Sequence, residues 1–106
     1  MDYLKLAPVE LDFINELNKQ LSSNGYDPVY LRINRTSDNI LNFRLTGCQI
    51  GRVKLQGLVT RMQVITLDSV HWYDGLSFDA CVGILPRWID YIGKSAIYDP
   101  ARPIYY

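Results

Sequence analysis

The hydrophobic period of this 106-residue chain changes from helical to two and back to helical, and that order restricts the fold more than any other feature. Val9, Phe13, Leu17 and Leu21, with Ile14, recur at three- and four-residue spacing and form one apolar stripe. Pro8 suits the first helical position, Glu10 and Asp12 place negative charge near the positive end of the helix dipole, and Asn24-Gly25 is a stop signal. The spacing predicts a helix over 8–23.

From Pro28 the period becomes two. Val29, Leu31 and Ile33 alternate with Tyr30, Arg32 and Asn34, and Leu41, Phe43 and Leu45 alternate with Asn42 and Arg44. Val53 and Leu55 alternate with Arg52, Lys54 and Gln56, and Met62 and Val64 with Arg61 and Gln63. Turn signals at Thr36–Asn39, Thr46-Gly47 and Gly57 separate four short strands, which read as an antiparallel meander with one apolar face. Gly51 reads as a bulge or as relief of crowding.

Helical spacing returns with Leu76, Phe78, Cys81, Val82, Leu85, Trp88, Ile89 and Ile92, capped by Asp74 or Ser77 and ended by Gly93. Pro86 removes a hydrogen bond and crowds the preceding turn, so this helix is expected to kink or to divide into 77–85 and 86–92. The expected fold is α+β: an N-terminal helix, a four-stranded antiparallel meander and a kinked C-terminal helix, both helices lying on one face of the sheet. The length allows one domain, 1–106, ending in an extended tail over 97–106.

Charge is distributed unevenly over this plan. The chain is neutral, with 11 Lys+Arg against 11 Asp+Glu. Yet Val29–Thr66 holds six cations (Arg32, Arg35, Arg44, Arg52, Lys54 and Arg61) against the single acid Asp38, a net of +5. Alternation puts Arg32, Arg44, Arg52, Lys54 and Arg61 on the polar face of the sheet together with Tyr30, and Arg35 in a turn. Strands about 4.8 Å apart would gather these heads into one patch. Basic side chains also solvate a sheet face and discourage edge pairing, but acids would solvate it equally well and none falls among these five.

The patch points to a small non-enzymatic binding domain, an adaptor or inhibitor, that docks on an acidic protein surface. Nucleic acid held by its phosphate backbone is the alternative partner. Base stacking has only Tyr30 to work with on that face, and the signatures of helix-turn-helix, zinc-finger and RNA-recognition modules are missing. A sheet edge or the tyrosine-bearing tail offers a route to a homodimer.

Catalytic chemistry has thinner support. His71 is the only histidine, with Asp68 and Asp74 nearby, so a small hydrolase using His71 is a minor alternative. The bland reading of 70–74 is a connection from strand to helix with Trp72 on the core. No cofactor or metal site is expected, since one histidine and two distant cysteines cannot build a tetrahedral site. Cys48, at a turn, and Cys81, in a helix, read as reduced thiols. No run approaches the ~18–20 apolar residues of a membrane span, and Met1–Lys5 shows no basic leader, so the expected location is the cytoplasm.

Overall fold

The computed structural model describes residues 5–97, so all but the first residue of the tail expected over 97–106 lies outside the described residues. Helix α1 (Pro8–Ser23) is followed by strands β1 (Leu31–Arg35), β2 (Leu41–Leu45), β3 (Cys48–Lys54), β4 (Arg61–Ile65) and β5 (Val70–Asp74), and then by helix α2 (Phe78–Ser95). The strands form one antiparallel sheet in the order β1-β2-β3-β4-β5. The class and the order of the helices are as the periodicity predicts, but the sheet has five strands rather than four. No helix among the described residues is long and apolar enough to cross a membrane.

The fifth strand escapes a search for alternation because its sides are inverted. Val70 and Trp72 face outward, while His71 and Tyr73 face the helix side, opposite Val64 and Met62. A four-residue turn sets up the pairing: Thr66 Oγ1 accepts from the backbone N–H groups of Asp68 and Ser69, and Thr66 N donates to Ser69 O. The run 70–74 is therefore a strand and not a connection.

The core lies between the sheet and the two helices. Phe13 of α1, Phe43 of β2 and Trp88 of α2 meet with ring centroids 5.4–5.8 Å apart, and all three are fully buried. Such tilted and edge-on pairs favour the aromatic quadrupoles as well as burying area. Register slips between β2 and β3, where Phe43 pairs Gly51 but Arg44 pairs Gln49, leaving Ile50 as the extra residue of a bulge. Beside it the β3–β4 ladder is short, holding only the Val53–Met62 and Lys54–Arg61 pairs, and the indole Nε1 of Trp88 donates to the Gln63 carbonyl of β4 at 2.6 Å. A buried carbonyl without a ladder partner would otherwise be costly.

Helix α2 runs through Pro86 without dividing. Leu85, Trp88, Ile89 and Ile92 anchor both sides of the proline in the core, and that burial outweighs the one backbone hydrogen bond lost. Pro86 itself is exposed, so Pro86→Ala is expected to stabilise the fold by roughly 2 kcal/mol. Urea unfolding checks this: the midpoint should rise at constant slope, and an unchanged midpoint would mean that α2 loses nothing at the proline.

Candidate functional site

Cross-strand pairing assembles the outer face of the sheet. Arg32 pairs Arg44, Asn34 pairs Asn42, Asn42 pairs Arg52, Lys54 pairs Arg61, and Arg61 pairs Asp74. Arg32, Arg44, Arg52, Lys54 and Arg61 thus share the side opposite the helices. Tyr30 does not join them. It closes a 3₁₀ turn over Pro28–Tyr30 and rests against the hydrophobic core, because the extended backbone begins only at Leu31.

Arg35 is not in a turn. It ends β1 on the helix side, paired across from the buried Leu41. Its guanidinium grips Glu10 of α1 with two bonds, Nη1 to Oε2 and Nη2 to Oε1, each 2.9 Å, and Nη2 also reaches the Lys5 carbonyl. Glu10 is fully buried and also accepts from Ala7 N and Gln56 Nε2, both at 2.9 Å. Burial pushes the Glu10 pKa up, but the Arg35 fork, the Ala7 N–H, the Arg35 charge and Gln56 together hold it below the ordinary carboxylate range. This cation is neutralised inside the fold and belongs to the architecture, not to the surface patch.

The outer face also has two members that periodicity misses, both from β5. Asp74 brings a carboxylate to the patch, accepting from Arg61 Nε at 2.8 Å. Trp72 faces outward opposite Gln63, with the Arg61 guanidinium 4.7 Å from its ring centroid, and not onto the core. With five cations and one acid along its strands, this face carries +4.

Backbone carbonyls hold two of the arginines in place. Arg32 donates from Nη1 to the Val29 and Leu31 carbonyls at 2.7 and 3.0 Å, and Arg44 from Nη2 to the Gly47 carbonyl at 2.8 Å. The Gly47 carbonyl is presented by the Thr46-Gly47 hairpin, whose residues both take positive φ, 50° and 85°. Arg52 Nε donates to Asn42 Oδ1 at 3.3 Å, and Asn42 Nδ2 to Asn34 Oδ1 at 3.1 Å, so amides space the charges. Among the described residues Arg44, Arg52 and Lys54 meet no carboxylate.

The catalytic candidate takes a different shape. His71 Nε2 lies 2.8 Å from Ser69 Oγ, and that hydroxyl lies 3.0 Å from Thr66 Oγ1. Asp74 sits on the opposite face with Arg61, and Asp68 makes no bond to the imidazole. A serine beside a histidine is only part of a nucleophilic apparatus, which also needs a group orienting the ring and donors for an oxyanion. No cluster of three or more His, Cys, Asp or Glu side chains suited to a metal occurs among the described residues. Both cysteines are free thiols, and burial pushes the Cys81 thiol pKa up, away from the reactive thiolate. No known family model matches the chain, and no curated protein or solved structure shows significant similarity to it.

Proposed function

We propose that this protein is a non-enzymatic docking domain whose outer sheet face binds an acidic protein surface. One observation carries the reading: cross-strand register sets like charges directly opposite one another, Arg32 against Arg44 and Lys54 against Arg61. Directly opposed like charges destabilise a sheet; Asp74 answers Arg61, while Arg44 and Lys54 meet no carboxylate among the described residues and are the cations a carboxylate-bearing partner would engage. Arginine forks held by backbone carbonyls lose little entropy on engaging carboxylates, which they match in geometry.

Nucleic acid is the second reading, favoured by the outward Trp72 beside Arg61. One experiment separates the two. Binding to polyglutamate and to single- and double-stranded oligonucleotides is measured at about 50 mM salt, where phosphate contacts are strongest. Trp88 is buried, so a change in tryptophan fluorescence reports Trp72. Polyglutamate is expected to bind, and Arg44→Glu/Lys54→Glu to weaken it at least about tenfold while preserving the fold. Tighter oligonucleotide binding with Trp72 quenching would replace the protein reading. Binding unaffected by the double reversal would end both.

A further inference from the structure

On the other side of the sheet, α2 packs chiefly on β3 and β4, and β5 extends beyond it. The inward side chains of β5, His71 and Tyr73, therefore border an open cleft of about 480 Å³ whose other wall is α2. Val64 and Leu67 supply apolar lining, and Tyr73 and Tyr91 bring aromatic rings to it. The volume lies within the range of sites that hold small molecules.

Among the described residues, charge around the cleft leaves two groups outside an ion pair, Asp68 and Arg87, and they stand at opposite ends. Lys94 and Asp90, one turn apart on α2, neutralise each other at 2.9 Å. Asp68 lies on the β4–β5 hairpin, at the end of the cleft away from Tyr73. Arg87 stands at the Tyr73 end: its Nη1 donates to the Tyr73 hydroxyl at 3.0 Å, and its guanidinium lies 5.8 Å from the Tyr73 ring centroid. Among the described residues Arg87 meets no carboxylate. A neutral hydroxyl fixes the fork without cancelling its charge, and leaves further N–H donors for a ligand.

We infer that the cleft between β5 and α2 binds a small aromatic carboxylate, with its carboxylate on Arg87 and its ring against Tyr91 and Val64. A planar, bidentate donor is matched by a planar, bidentate acceptor, and the apolar lining accepts the ring. The site is independent of the basic outer face, from which the sheet separates it.

The test is a titration of the ¹⁵N-labelled full chain with 4-phenylbenzoate, its neutral amide and phenyl phosphate, followed by NMR. The carboxylate is expected to saturate with a Kd on the order of 0.5 mM, a value typical of a probe of about 15 heavy atoms. Shifts should be confined to 64–73 and 87–94, and the amide should bind at least about tenfold more weakly. Arg87→Gln, at an exposed position, should remove the difference between acid and amide. Tyr73→Phe should weaken the acid severalfold and leave the amide unaffected. Equal binding of acid and amide, shifts centred on the outer face, no saturation by about 10 mM, or tighter binding of phenyl phosphate would each overturn the assignment.

Discussion

Arg35→Ala is expected to cost about 3–5 kcal/mol, the range for removing one partner of a buried ion pair, because it leaves the Glu10 carboxylate in the core without its counter-ion. The fork supplies two of the bonds to Glu10, and Ala7 N and Gln56 remain as neutral donors. Removing both charges should cost far less. Glu10→Leu/Arg35→Met is expected to recover most of the stability, since an apolar pair of similar volume leaves no buried charge unpaired. A double-mutant cycle by urea unfolding measures the difference, and additive costs would show that the two residues act separately.

The same pair dictates a pH dependence. Glu10 titrates lower in the folded protein than in the unfolded chain, so its contribution is present above the unfolded carboxylate value of about 4.3 and is lost as pH falls through the folded value. In Arg35→Ala the leading opposing cause is gone, and burial acts with less to offset it. The gap in melting midpoint between the native protein and the variant is therefore widest near neutral pH and narrows below about pH 4. A gap that stays constant from pH 7 to 3 would mean that Arg35 does not change the proton affinity of Glu10 in the folded protein.

This pair also shows where reading a sequence stops. The stripe of α1 and the alternation of β2 are legible because each depends on neighbours within one turn or one strand. Arg35 looks like a turn residue because its partner is 25 positions away, and no local pattern reports that separation. For the candidate face, charge and alternation suffice to gather Arg32, Arg44, Arg52, Lys54 and Arg61. They do not find Asp74 and Trp72, because β5 is an edge strand with a half-open inner side. Polar His71 is tolerated there beside a cleft, and apolar Val70 is tolerated in water, so the usual contrast between sides is lost. The signals that were available are the Thr66–Ser69 turn chemistry and the β-branched and aromatic run behind it. The division at Pro86 that local pattern allows does not occur for a related reason: tertiary anchoring on both sides overrides a local penalty.

Gly51→Ala is expected to destabilise by about 3 kcal/mol or more, at the upper end of overpacking, and to lower the melting midpoint by roughly 10–20 °C. A Cβ at this position would stand 2.3, 2.4 and 2.8 Å from Cε2, Cζ2 and Cδ2 of Trp88. Carbon atoms do not approach so closely, so the backbone of β3 or the indole has to move. The indole has little freedom, being wedged against Phe13 and Phe43 and tied by Nε1 to the Gln63 carbonyl. Moving it would break that bond and leave the carbonyl beside the bulge unsatisfied. The glycine is thus required by the tryptophan and not by its own backbone dihedrals. Trp88→Leu alone should also cost about 3–5 kcal/mol through lost burial and the lost bond. In the background of Trp88→Leu, however, Gly51→Ala should become nearly neutral, because the added methyl enters space the indole has vacated. The coupling energy of that cycle should exceed about 1 kcal/mol in favour of the double variant. Strict additivity would place the cost in the strand itself and remove the tryptophan from the explanation.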